Sequence, residues 1–198
     1  MARRLIGLDV GSYSVKVSHL ESSSRTTPPI VVAYAEKVLA DYVFEKPLEG
    51  DEPLIYRQQK AALLDLKAEG FFDEGVIITG LSGVDAQVRS MLVPFSNTKK
   101  IQSVLGGLLD AQLPFEIDDL VTSWMLQKNA GKSADSAEPQ NKILLAFAKK
   151  KSVEKYLDLL RETGADPKYL THKAAALIDI LQLFIDKFAS GSTATFAV

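Results

Sequence analysis

The segment from Leu5 to Val17, LIGLDVGSYSVKV, constrains the fold of this 198-residue chain more than any other part of it. An apolar run ends in Asp9, a Gly-Ser-Tyr turn follows, and a second β-rich run carries Lys16. The alternation of apolar and polar residues in the second run is typical of a half-buried strand. The segment therefore predicts a β-hairpin that brings an acidic and a basic side chain close to its tip.

The tip of this hairpin carries groups that are suited to holding a phosphate chain. A carboxylate binds a divalent cation, free backbone N–H groups in a turn bind phosphate oxygens, and an ammonium group neutralises their charge. The residues that supply these groups are Asp9, Gly11, Ser12, Tyr13, Ser14 and Lys16. A hairpin whose polar tip only faces solvent would carry the same residues, so both interpretations stay open at this point.

The elements that follow extend the hairpin into an α/β unit. Residues 30–37 are β-rich, residues 53–70 hold a helical repeat between a proline and a glycine, and residues 76–79 form a short apolar strand. The order of three strands, a helix and a fourth strand resembles the opening of a ribonuclease-H-like core. We therefore assign residues 1–83 to the first domain.

Residues 84–171 have a different pattern. Strands are predicted at 87–93, 121–126, 143–148 and 168–171, helices at about 98–112 and from an N-cap at Ser152, and a polar loop at 128–141. Strand, helix and strand occur twice in this order. The pattern predicts a compact α+β module inserted after the first core.

The last part of the chain is strongly apolar. A helix is predicted over residues 172–189, and the width of its apolar stripe predicts that it is mostly buried. Residues 195–198 are β-like, and a chain that stops inside a strand is expected to be a fragment. Residues 172–198 are accordingly assigned to the first domain, at the start of its second half.

Composition excludes several classes of function. The sequence has no cysteine, which excludes disulfides, thiolate zinc sites and a cysteine nucleophile, and its two histidines argue against a histidine metal centre. A net charge of −2 provides no overall basic field for nucleic acid. No segment reaches the roughly 18–20 apolar residues that span a bilayer, so a cytoplasmic protein is expected.

Two sets of residues carry a resemblance to a known family. Asp9, Gly11, Ser12 and Lys16 resemble the first phosphate-binding hairpin of the actin-like ATPases, with the pattern Asp-x-Gly-Ser-x-x-x-Lys. The order of residues 89–95, 112–120 and 159–167 is similar to that of the module that PilM, FtsA and GspL carry within their first subdomain. The chain thus resembles the N-terminal half of the actin-like GspL/PilM family, which acts in type II secretion and type IV pilus assembly.

This resemblance implies an actin-like α/β fold, with residues 1–83 and 172–198 as subdomain 1A and residues 84–171 as the inserted α+β subdomain 1C. It also implies ATP with magnesium as the ligand of the hairpin. Asp9 would hold the metal through water, the N–H groups of residues 11–13 would bind phosphate, and Lys16 would reach the phosphate chain. The second phosphate hairpin and the adenosine site would lie after Val198, so tight nucleotide binding to this chain is not expected.

Two classes of function follow from the resemblance. The first is a cytoplasmic scaffold at the bacterial inner membrane: a GspL-like domain would recruit the secretion ATPase GspE, and a PilM-like protein would bind ATP and the N-terminal peptide of PilN. The helix near residues 101–112 and its Leu-Pro-Phe exit favour GspL, whereas the intact hairpin is PilM-like. The second class is an ATPase enzyme, for which no residue here is assigned to activate water. A homodimer, including one formed by segment exchange, is a further expectation.

Overall fold

The computed structural model describes residues 3–22, 29–39, 53–94, 97–110, 116–127, 141–178 and 180. The strands are β1 (Arg3–Val10), β2 (Ser14–Ser22), β3 (Ile30–Val38), β4 (Val76–Leu81), β5 (Ala86–Val93), β6 (Leu120–Gln127), β7 (Asn141–Lys149) and β8 (Tyr169–His172). The helices are α1 (Leu54–Ala68), α2 (Thr98–Asp110) and α3 (Lys150–Glu162), and a single 3-10 turn covers Ile117–Asp119. The predicted strands and helices of these ranges are confirmed in order and type.

The chain divides into two compact units, and the first comprises residues 1–81 and 155–198. Its five-stranded sheet has the order β3-β2-β1-β4-β8. The first three strands pair antiparallel, and β4 pairs parallel with both β1 and β8. Because the carboxyl ends of parallel strands meet at one edge of a sheet, the end of β1 and the residues after β8 lie at the same edge.

One face of this sheet forms the core of the first unit. Val15, Val17 and His19 of β2 are buried on that face, as the alternation of the sequence predicts. Helix α1 contributes Leu63 and Leu66, which are fully buried. Burying a leucine side chain stabilises a fold by about 1.5–3 kcal/mol, so the two leucines account for much of the attachment of α1 to the sheet.

The same core extends to α3 and is fastened by buried polar contacts. Leu159 and Leu160 of α3 are buried in it. The hydroxyl of Thr79 in β4 donates a hydrogen bond to the carbonyl of Leu8 at 2.9 Å, and its oxygen lies 2.5 Å from the hydroxyl of Tyr156 in α3. These contacts satisfy a buried hydroxyl and connect three elements of the unit.

The second unit comprises residues 82–154 and is built on a three-stranded antiparallel sheet with the order β5-β7-β6. Helix α2 covers one face of this sheet, on which its apolar residues pack against Ile143, Leu145 and Phe147 of β7. The other face carries exposed apolar side chains on both outer strands, and we call it the open face. Its apolar members include Val88 and Leu92 of β5, Val121 and Met125 of β6, and Leu144 and Ala146 between them, and Lys142 of β7 lies on the same face opposite Leu92.

The structure divides the chain at different places from the predicted boundaries of 84 and 172. The first unit resumes at Lys155, because Leu159 and Leu160 are buried in its core and β8 pairs with β4 of its sheet. The pairing of β8 is parallel and long-range, and a single sequence contains no signal for it. The assignment of the second unit to an inserted FtsA/PilM-type subdomain stays a prediction.

Two further local predictions differ from the structure. Helix α3 begins at Lys150, so Ser152 lies inside its first turn instead of capping it. Residues 173–178 are helical, but Leu177, Ile178 and Ile180 are more than half exposed, whereas burial of this helix was predicted. Four predicted segments lie outside the described residues. They are the loop at 128–141 (except Asn141), the Leu-Pro-Phe turn at 113–115, the rest of the last helix and the terminal strand.

Candidate functional site

The tip of the hairpin between β1 and β2 is held by hydrogen bonds within the first unit. The N–H of Gly11 donates to the carbonyl of Ser14 at 3.0 Å, and the N–H of Leu39 donates to the carbonyl of Tyr13 at 2.8 Å. From α1, the side-chain amide of Gln59 donates to the carbonyl of Gly11 at 2.9 Å. A Cβ on Gly11 would lie 2.8 Å from the carbonyl oxygen of Ser14, so this tight turn requires glycine.

These hydrogen bonds change which backbone N–H groups of the tip are available to a ligand. The N–H of Gly11 is already used inside the turn and is not directed at a ligand. The N–H groups of Ser12 and Tyr13 have no acceptor among the described residues, and both residues are exposed. The tip therefore offers two of the three predicted backbone donors to an anion.

Lys16 is engaged with β3 and with its own strand. Its ammonium group donates a hydrogen bond to the hydroxyl of the buried Ser14 at 2.7 Å and lies 3.5 Å from Glu36. The hydrogen bond from Ser14 and, more weakly, the charge of Lys16 hold the pKa of Glu36 below its ordinary value of 4.5, against an opposing effect of desolvation. Lys16 thus interacts with Ser14 and Glu36, although the strand register places it directly opposite Asp9.

Asp9 has a different basic partner. Lys173, the first residue after β8, lies with its ammonium nitrogen 2.6 Å from Oδ1 of Asp9. The same ammonium group donates a hydrogen bond to the carbonyl of Val10 at 2.8 Å. The side chain of Asp9 is about half exposed, with a relative accessibility of 47%. Oδ1 itself is enclosed, and its close contact with Lys173 is an ion pair without the geometry of a hydrogen bond; it has no hydrogen-bond donor among the described residues.

The site therefore contains two carboxylates and two ammonium groups that form separate pairs. Asp9 pairs with Lys173, and Glu36 pairs with Lys16. Of the predicted residues, the structure brings Asp9, Ser14 and Lys16 to one side of the hairpin, with the turn beyond them. The charges of these four groups cancel, so among the described residues the two pairs leave no surplus positive charge for a phosphate chain.

Three residues of this site were not predicted from the sequence: Glu36, Gln59 and Lys173. Gln59 was recognised only as part of a helical repeat, and nothing in that repeat indicates its bond to Gly11. Glu36 faces Lys16 across β2 and β3, and an opposite-charge pair at that register is the one signal that a correct pairing would have given. Lys173 depends on the parallel pairing of β8, which brings it to the end of β1.

Sequence comparison finds no relatives for this chain: no protein-family model matches it, and no curated protein does. Structure comparison does. The structure of the "PilM-PilN type IV pilus biogenesis complex" aligns with a TM-score of 0.66 at 20% identity, over 92% of this chain and 51% of that chain. The cytoplasmic domain of EpsL (GspL), an inner-membrane component of the type II secretion system of Vibrio cholerae, aligns with a TM-score of 0.51 at 13% identity, over 87% and 57% of the two chains.

The chain has the actin-like α/β fold of the GspL/PilM family. This confirms the predicted fold class, and at these identities the likeness concerns the fold alone. A third structure, of a protein with an actin-like ATPase fold from Bacteroides thetaiotaomicron, aligns with a TM-score of 0.42, which is too low to support an inference. The actin-like chain described here spans about half the length of the solved proteins that it matches.

A membrane-spanning helix is not found in the described part of this actin-like chain. None of its helices there combines the length and the hydropathy that crossing a bilayer requires.

Proposed function

We propose that this chain is part of an actin-like scaffold that binds a partner protein on the cytoplasmic side of a bacterial inner-membrane platform for secretion or pilus assembly. The observation that carries the proposal is the shared fold with two proteins of such platforms. One was solved in a pilus biogenesis complex with PilN, and the other is a domain of an inner-membrane secretion component.

The charges at the hairpin support a scaffold more than an enzyme. Each basic side chain of the tip has an acidic partner at 3.5 Å or less, and the four charges cancel. Binding of a triphosphate with its metal would have to break both pairs.

The open face of the second unit supports a function through protein contact. Met125 and Leu92 are exposed to 60% and 61%, and Val121 to 47%. Contiguous exposed apolar side chains are typical of surfaces that bind another protein. Ser90 and Ser123 lie between them, and Lys142 of β7 lies directly opposite Leu92 on the same face, so a partner would meet an apolar surface with one basic residue at its end.

Two partners are candidates, the secretion ATPase GspE and the N-terminal peptide of PilN. The sequence resemblance gave a preference for GspE, and that preference stays a prediction. The structural likeness is greater to PilM than to EpsL, with TM-scores of 0.66 and 0.51, and this favours PilN. A homodimer of the scaffold also stays a prediction.

The proposal is tested by titrating the chain separately with the N-terminal domain of GspE and with the PilN peptide, using calorimetry. We expect saturable binding of one of the two, and the identity of the bound partner decides between the secretion and the pilus platform. ATP hydrolysis is measured on the same samples. Binding of neither partner together with ATP turnover that Asp9→Asn abolishes would replace the scaffold by an enzyme.

A further inference from the structure

The ammonium group of Lys173 contacts the carboxylate that, by the family resemblance, would hold a metal ion through water. It is 2.6 Å from Oδ1 of Asp9 and donates a hydrogen bond to the carbonyl of Val10 at 2.8 Å. Carboxylate and carbonyl oxygens are also ligands that suit magnesium. The lysine thus presents one positive charge to two oxygens that would otherwise suit a hard cation.

Strand β4 leaves room for the side chain of Lys173. Gly80, which is buried, lies between the end of β1 and Lys173 in the sheet. A Cβ on Gly80 would lie 3.1 Å from Cγ and 3.2 Å from the backbone nitrogen of Lys173. The missing side chain at position 80 leaves the space that the stem of the lysine occupies, so two separate elements determine where the ammonium group lies.

The remaining charges of the site make a metal ion still less suitable there. Lys16 is the basic residue directly opposite Asp9, and it is paired with Glu36 at 3.5 Å. A divalent cation at Asp9 would displace Lys173 from its carboxylate or lie beside its ammonium group, and like charges at that distance repel each other. The residues present therefore do not fit a magnesium ion at Asp9.

We propose that Lys173 is the resident cation of the Asp9 site and takes the place of a divalent metal, so that the hairpin does not bind magnesium. The inference concerns the chemistry of the hairpin and does not rest on the partner-binding function proposed above. It replaces the expectation that Asp9 holds magnesium through water. An anion that reaches the N–H groups of Ser12 and Tyr13, for which the described part of the chain supplies no acceptor, would bind without a divalent cation.

The test is a titration of the isotope-labelled chain with Mn²⁺, which broadens the amide NMR signals of residues near the bound ion. We expect the signals of residues 11–13 to broaden in Lys173→Gln at Mn²⁺ concentrations about tenfold or more below those that affect the unmodified chain, since one unit of repelling charge has been removed. Lys173→Arg keeps a fixed cation and is expected to behave like the unmodified chain. The double variant Asp9→Asn with Lys173→Gln is expected to lose this increased sensitivity to Mn²⁺.

Two results would overturn the proposal. One is Asp9-dependent broadening in the unmodified chain at the same Mn²⁺ concentrations as in Lys173→Gln. The other is a folded Lys173→Gln variant whose amide signals are no more sensitive to Mn²⁺ than those of the unmodified chain. If that variant does not fold, comparison of the unmodified chain with Asp9→Asn still decides: equal responses to Mn²⁺ support the proposal, and a stronger response of the unmodified chain overturns it.

Discussion

The hairpin tip and the open face of the second unit differ in composition and in whether their side chains already have partners within the fold. At the tip, a motif suggests a ligand, yet Asp9 and Lys16 each have a partner of opposite charge within the fold. The open face matches no motif, yet it exposes large apolar side chains such as Leu92 and Met125. The comparison teaches that the residues with the clearest sequence signature are already paired within the fold, and that the exposed apolar surface lies where the sequence has no signature.

The largest expected effect tests whether the open face is a surface or part of a core. Leu145 is fully buried under α2, and its neighbour Leu144 points to the open face. We expect Leu145→Ala to lower the free energy of unfolding by about 2–5 kcal/mol, and Leu144→Ala by less than about 1 kcal/mol. Urea unfolding measures both. Equal losses would mean that the open face is packed as a core, and the comparison would fail.

The second prediction concerns partner binding by the open face. Met125→Lys places a charge among apolar side chains, and we expect it to weaken binding of whichever partner the calorimetric titration detects by about tenfold or more, or 1.4 kcal/mol. Thr122→Lys is the matched control, since Thr122 is also exposed on β6 but lies on the opposite face. Titration calorimetry compares the two. Equal weakening by both changes would remove the open face from the interface.

A smaller effect is expected from the ion pair at the hairpin tip. Asp9 and Lys173 are 47% and 30% exposed, so solvent screens their attraction. A double-mutant cycle with Asp9→Asn and Lys173→Gln is expected to give a coupling free energy of about 0.5–1 kcal/mol. Thermal or urea unfolding of the four proteins supplies the cycle. A coupling of zero would mean that the two groups do not stabilise one another.

The smallest effect is the pH dependence that Glu36 adds. Its pKa is lowered in the folded protein, chiefly by the hydrogen bond from Ser14 and then by the charge of Lys16. The folded state therefore favours the ionised carboxylate, and this stabilisation is present above the ordinary pKa and lost as the pH falls through the lowered one. We expect the stability of Glu36→Gln to fall less on acidification below about pH 4.5 than that of the unmodified chain. Parallel curves in unfolding titrations over this range would contradict the pairing.

The part of the fold that could be predicted is the part that local sequence signals encode. The alternation in β2 and the glycine and proline residues around α1 are encoded within a few residues, and the strands and helices that they predict are confirmed. The boundary near Lys155 was missed because it depends on the pairing of β8 with the distant strand β4, in which Ile78 lies opposite Tyr169. Parallel pairing leaves no turn signal, since its connection is long.

The candidate site shows the same limit. The hairpin alone indicates Asp9 and Lys16, and the structure places both near its tip. What these groups do is decided by Glu36 and Lys173, which reach them from β3 and from the end of β8. A lone charged residue in a sequence gives no information on its partner, so the motif predicted the position of the site but not its state of charge.

The most direct test of the scaffold function is a titration of the chain with its partner, in EDTA and again with magnesium and ATP. Because the hairpin charges are paired internally and the open face carries the binding capacity, we predict the same dissociation constant under both conditions, also for Asp9→Asn. A dissociation constant that changes with magnesium and ATP, and that Asp9→Asn restores to its EDTA value, would contradict the account and make the hairpin a working nucleotide site.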